Sequence, residues 1–200
     1  MRTLAPILAI AAILCGCGSE ETWKNQAFAF APTADHPAES SSTNIIALTH
    51  VGVSPLFQGR SFTYLVAPNR YETDPYAGFL IPPDRAIAEP IRASLAALGR
   101  VVQPGGALTP NLGAEVTVTK LYGDFQQASA PSATLQIHFV LYQMTPEGPG
   151  RILMDDLYGR STSMTAKTPA ALIAAWDTGL HDIMSQINSD YAKANSNDSR

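Results

Sequence analysis

The sequence predicts an α/β fold: a single domain in which a largely antiparallel sheet is covered by two main helices. Three observations carry this. Several segments alternate apolar and polar residues, as half-buried strands do. Two of them are joined by the turn "TPEGPG" at residues 145–150, which makes them an antiparallel hairpin. Two other segments repeat their apolar residues every three or four positions, the spacing of one helix face. The chain has 200 residues, 46% of them hydrophobic and 15% charged, a composition that suits one globular domain with a sizeable core.

In chain order, "QAFAFAP" at residues 26–32 alternates Phe28 and Phe30 and reads as a short first strand. The turn-forming residues of "TADHPAESSST" then make a loop from Thr33 to Thr43. "NIIALTHVGVSP" at 44–55 is a second strand, with His50 at its end. "RSFTYLVAP" at 60–68 is a third, with Phe62 and Tyr64 on one face and Asn69 in the following turn. The next helix carries Ile87, Ile91, Leu95 and Leu98 on one side. Pro90 lacks an N–H and crowds the preceding turn, so the sequence predicts a short helical turn from Asp84 and a main helix from Glu89 to Leu98, ended by Gly99.

After a Gly- and Pro-rich loop, "AEVTVTKLYGDF", "ATLQIHFVLYQM" and "RILMDDLYGR" supply three more strands. The closing helix is the clearest element. Thr168 can cap it, Pro169 takes the favoured first position, and Leu172, Trp176, Leu180, Ile183 and Ile187 form a stripe that should cover one sheet face. The polar residues 192–200 are expected to fray as a tail.

The amino terminus is a separate problem. "ILAIAAILCGCGSE" at residues 7–20 ends an apolar run at the chain's two cysteines. One intervening residue is too few for an unstrained disulfide, and two sulfurs alone do not make a zinc site. The run is about 11 residues, short of the roughly 18 that span a bilayer, and Arg2 precedes it, which is the pattern of a signal peptide. Leu14-Cys15-Gly16-Cys17 resembles the lipobox of bacterial lipoproteins: a Leu three positions before a Cys and a small residue directly before it. The resemblance implies a diacylglycerol thioether on Cys17, cleavage after Gly16 and acylation of the new amino terminus. Cys15, with Leu14 directly before it, does not fit. An ordinary secretory cleavage would instead leave a free thiol. Residues 1–16 are then the signal peptide, 17–25 a lipidated tether, and 26–191 the folded domain. The segment from Gly18 to Asn25 reaches at most about 25 Å. In Gram-negative sorting an Asp after the lipidated Cys holds a lipoprotein in the inner membrane; Gly18 stands there, which points to the outer membrane, facing the periplasm.

The whole chain has 13 Lys and Arg against 17 Asp and Glu, a net charge of −4, and removal of Arg2 makes the processed chain more acidic still. That balance argues against nucleic acid and against electrostatic attraction to anionic lipid, so membrane attachment falls to the acyl chains. No phosphate-binding, nucleophile-elbow or HExxH motif occurs in the sequence. His138 shares a strand face with Gln136, which suggests a solvent-facing or sheet-covering side chain. His181 follows Asp177 by one helical turn, His36 lies in the loop, and Asp155 and Asp156 point to opposite faces of a strand. No catalytic residue, metal site or cofactor is expected beyond the acyl groups on Cys17.

The aromatic segment is more informative. Phe62, Tyr64, Tyr71, Tyr76 and Phe79 can pack a core or present an amphipathic surface, and "GFLIPP" adds apolar residues in an expected loop. Tyr71, Tyr76, Phe79, Leu80 and Ile81 are therefore the candidate partner-binding residues. The segment Tyr71 to Pro83 reads as too irregular for one strand.

From residue 27 to 187 the order of features resembles the ABC-type transport auxiliary lipoproteins, a family that includes the lipoprotein of the paraquat-inducible intermembrane transport system. The resemblance rests on the lipobox, the short aromatic strand, "IIALTHVGVSPLFQGRSFTY" followed by "RYETDPYAGFLIPPDRAIAEPIRASL", the valine-rich strand and hairpin, and the closing "PAALIAAWDTGL". The family often has Tyr-x-Leu in its first strand where this chain has "FAF". The resemblance implies a sandwich with a mixed sheet, no enzymatic activity, and service beside an ABC permease and ATPase and a lipid-binding MCE-domain protein. An accessory or regulatory lipoprotein of another envelope machine, such as a secretion pore or a cell-wall synthase, is the alternative. Oligomeric state is not read from the sequence.

Overall fold

The computed structural model describes residues 25–31, 42–103, 105–127 and 129–198. The signal segment, the lipobox with Cys17, most of the tether and His36 lie outside them. The elements are β1 (Gln26–Phe28), β2 (Ile45–Val53), β3 (Ser61–Ala67), β4 (Arg70–Phe79), α1 (Pro83–Leu95), β5 (Arg100–Val102), β6 (Leu112–Asp124), β7 (Ser132–Thr145), β8 (Gly148–Ser163) and α2 (Pro169–Asp198).

All eight strands join one mixed sheet. β6, β7 and β8 form its antiparallel spine. The other edge of β6 is shared: β2 runs parallel to its first half from Leu112 to Val118, and β3 meets it in parallel at Gly123 and Asp124. The sheet therefore forks. One arm continues from β2 to β5 and the other from β3 through β4 to β1. The long ladders are antiparallel and the short connecting ones are mostly parallel, which fits a mixed, largely antiparallel sheet.

Both helices pack on one face of this sheet, α2 along β7 and β8 and α1 over β2, and they touch each other. The inward residues of β7 are those the alternation picks out: Leu135, Ile137, Phe139 and Leu141 are at most 1% exposed. Leu172, Trp176, Leu180, Ile183 and Ile187 of α2 meet them as a continuous buried stripe. Thr168 caps α2 as expected, its hydroxyl accepting from the Ala171 N–H at 3.2 Å.

Four local expectations change. First, α1 is continuous through Pro90 and ends at Leu95, where the sequence suggested a break and a later end. Ile87, Ile91 and Leu95 are fully buried, and their packing holds the turn that the missing proline N–H would otherwise weaken. Second, β4 is one strand to Phe79, so the expected loop shrinks to the few residues before Pro83. Third, His50 lies inside β2, at a register shift after Leu48, and does not end the strand. Fourth, residues 192–198 are helical, extending α2 past Tyr191 where a polar tail was expected. Tyr191 is 8% exposed, and its hydroxyl accepts from the Asn44 side-chain amide at 2.8 Å, which fastens this end of α2 to the start of β2.

Candidate docking surfaces

The segment from Tyr71 to Ile81 contributes to several environments, and Asp74 is the residue that organises it. Ser61 pairs with Gly78 and Thr63 with Thr73, so β4 carries extra residues between two consecutive contacts with β3. This is a bulge around Pro75, where a ladder N–H is missing in any case. The Asp74 carboxylate fills the gap. It accepts from the backbone N–H groups of Tyr76 at 2.8 Å and Ala77 at 2.9 Å, and from the Tyr64 hydroxyl at 2.6 Å. Burial pushes the Tyr64 hydroxyl well above the usual tyrosine range, and the hydrogen bond to Asp74 and its charge add to the shift. The Asp-Pro pair in the sequence is the signal that could have located this bulge.

Arg60 secures the far end of the segment. Its Nε donates to the Phe79 carbonyl at 3.1 Å and its Nη2 donates to the Leu80 carbonyl, while its own carbonyl accepts from the Phe79 N–H at 2.7 Å. A Cβ on Gly78 would lie 2.2 Å from that carbonyl, so only glycine permits this approach.

Phe79 faces the helices. It is 3% exposed, stacks on Trp176 at 5.7 Å, meets Phe62 edge-on at 4.9 Å and lies 5.9 Å from Phe30. Its ring belongs to the core and is not presented to a partner. The Trp176 indole N–H donates to the Thr134 carbonyl at 3.2 Å, so this large side chain is buried with its polar group satisfied. One residue on, both Asp177 oxygens accept from the Ala31 N–H, at 3.0 and 3.2 Å, and hold the segment after β1 against α2. Burial raises the Asp177 carboxyl above its usual 3.8, and the Ala31 N–H opposes the shift.

The other four candidate residues are exposed in two places. Tyr71, 37% exposed, meets Phe57 at 6.0 Å and Tyr122 at 5.5 Å, both edge-on. Phe57, from the β2–β3 connection, is 5% exposed and seals this small aromatic group. Tyr76, Leu80 and Ile81 are 45%, 55% and 44% exposed and flank the pairing of β4 with β1.

The sheet face away from the helices carries polar side chains at its centre. His138 Nε2 lies 2.6 Å from Asp155 Oδ1 across β7 and β8, and both side chains are substantially exposed. They line an open depression of about 390 Å³ with Thr119, Asp156 and Leu157. Thr119 gives its hydroxyl to the Gln136 side chain at 3.0 Å, so it is not poised against His138. Asp155 and His138 make a diagonal cross-strand pair on a solvated face. His181 is exposed on α2, one turn beyond Asp177. Among the described residues no helix is long and apolar enough to cross a membrane, and no group of three or more His, Cys, Asp or Glu could hold a metal ion.

No protein-family model matches the chain, and no curated protein matches it in sequence. Solved structures do. A protein from Xanthomonas campestris described as DUF330 superposes with a TM-score of 0.68 at 16% identity, covering 86% of this chain and 99% of its own. An uncharacterised protein superposes with a TM-score of 0.61 at 13% identity, covering 76% of this chain and 95% of its own. At such identities the likeness is one of architecture, and it extends over nearly the whole of both solved chains: this protein has a DUF330-type fold.

Proposed function

We propose that this protein is a lipid-anchored, non-enzymatic component of an ABC/MCE-type intermembrane lipid transport system, held at the outer membrane and facing the periplasm. The observation that carries this reading is Leu14-Cys15-Gly16-Cys17, placed so that a short polar tether leads from Cys17 directly into β1 of a DUF330-type domain. The transport role draws on the family resemblance of the β3–β4–α1 block and the closing helix. The scaffold suits binding better than catalysis. The His138–Asp155 pair is solvated, and the hydroxyl beside it is engaged elsewhere. We assign the MCE-domain partner to the aromatic group of Tyr71, Phe57 and Tyr122, where a half-exposed ring is backed by the buried Phe57 and the partly buried Tyr122.

Purification of the lipidated protein from detergent-solubilised envelopes, with and without Tyr71→Ala, tests this. Recovery of an MCE-domain protein and an ABC permease with the parent, and their loss from the variant, is the expected outcome. Recovery of a secretion pore or a cell-wall synthase instead would replace the transport reading with that of an accessory lipoprotein. Labelled-palmitate incorporation checks the anchor separately: Cys17→Ser should abolish it, and Cys15→Ser should not.

A further inference from the structure

The chain enters the domain at β1, an edge strand at the end of one arm of the sheet. Gln26 pairs with Ala77 and Phe28 with Phe79, and the Leu80 N–H donates to the Phe28 carbonyl at 2.7 Å. Tyr76 therefore stands beside the end where the chain arrives, and Leu80 and Ile81 beside the end where β1 finishes. All three are exposed, although the neighbouring Ala77 and Phe79 are buried. Burial of the ladder explains the buried pair. Among the described residues, the packing does not account for Leu80 and Ile81, two large apolar side chains exposed beside the strand that follows the anchor.

We propose that the β1–β4 edge, with Tyr76, Leu80 and Ile81, is seated on the lipid surface to which Cys17 attaches the chain. This rests on the lipidation reading and adds an orientation to it. The stretch from Gly18 to Asn25 can extend only about 25 Å, so an anchored chain keeps this edge within that distance of the bilayer. Such tethering makes contact intramolecular, and a small apolar patch too weak to bind membranes alone is sufficient. The chemistry suits an interface: Leu and Ile enter the acyl boundary, and Tyr is a side-chain type enriched at headgroup level. Trp23, three residues before β1, is the other side-chain type enriched there. The opposite edge is different. β8 lies five strand spacings away through β4, β3, β6 and β7, about 24 Å, which places the His138–Asp155 depression and Leu157 away from the bilayer.

The test uses the chain from Cys17 to Arg200 in a Trp23→Phe background, with Cys17 coupled to a maleimide phospholipid. The anchor is then present whether or not the cell supplies it, so a failure of lipidation in vivo is separate from a failure here. Leu80→Trp, Ile81→Trp and Leu157→Trp are each reconstituted in phosphatidylethanolamine–phosphatidylglycerol vesicles containing brominated acyl chains. The expected result is loss of tryptophan fluorescence for Leu80→Trp and Ile81→Trp, with Leu157→Trp unchanged beyond the common background of buried Trp176. All three positions are exposed, so folding should be preserved, and either of the first two suffices if the other misfolds. Equal quenching at all three positions, or none at positions 80 and 81, overturns the proposal, and the second result would make this edge available to a protein partner.

Discussion

The two faces of the sheet obey different rules. On the helix-covered face, Phe62, Phe79 and Trp176 form a buried aromatic group in which each ring meets the other two within 6 Å. On the bare face, polar pairs such as His138 with Asp155 are solvated, and apolar packing is local, around Phe57 and at Tyr142 against Gly113. The first face holds the domain together. The second can vary in chemistry at a smaller cost to the fold, and the partner surface we propose, around Tyr71, lies there.

The largest effect should come from the covered face. Removing a buried Phe ring leaves a cavity and costs about 3–5 kcal/mol. Phe79→Ala should therefore lower the melting midpoint by on the order of 10 °C in a domain of this size. Thermal unfolding followed by circular dichroism checks it. A folded Phe79→Ala protein with an unchanged midpoint would break the distinction between the two faces.

A carboxylate on the covered side sharpens the comparison further. Asp177 is half-buried on α2 against the segment after β1, and burial raises its pKa above 3.8 in the folded chain. For a group whose folded pKa is raised, the contribution to stability is fully present below the unfolded value and is lost as pH rises through the folded value. Stability should therefore fall from this source as pH climbs from just below 3.8. Asp177→Asn keeps an acceptor for the Ala31 N–H and removes the charge, so its denaturation midpoint should fall less across that window than the parent's. Urea titrations at a series of pH values measure the difference. Partial exposure makes the effect smaller than that of Phe79→Ala.

Much of this was legible in the sequence, where one rule dominates a segment. The stripe from Leu172 to Ile187 and the alternation in β6 and β7 are set by burial on one side, and they were readable residue by residue. Failures fall where a side-chain interaction overrides the rule that a proline breaks an element. β4 passes Pro75 because Asp74 supplies acceptors to the bulge, and α1 passes Pro90 because three buried side chains hold it. β5 has three residues and exists through parallel pairing with β2, which no local pattern announces. Of the docking candidates, Phe79 has the same aromatic character as Tyr76, and only the parity of the bulged strand decides which is buried. Cys17 was the sharpest reading from sequence, and it lies outside the described residues.

The smallest effect should come from the pair on the bare face. His138 and Asp155 meet at 2.6 Å, close enough for a strong contact on geometry alone. Their side chains are 40% and 52% exposed, so water and salt screen the charges and each group is well solvated without the other. An exposed pair of this kind contributes about 0–1 kcal/mol. His138→Ala should thus leave the melting midpoint within about 4 °C of the parent. The Phe79→Ala protein, measured alongside, provides the scale. A loss for His138→Ala comparable to that for Phe79→Ala would mean that the depression with Thr119 and Leu157 is covered in solution and that the bare face is a second core surface. A near-zero change would leave His138 and Asp155 as solvated groups available to a ligand or partner at no cost to the fold.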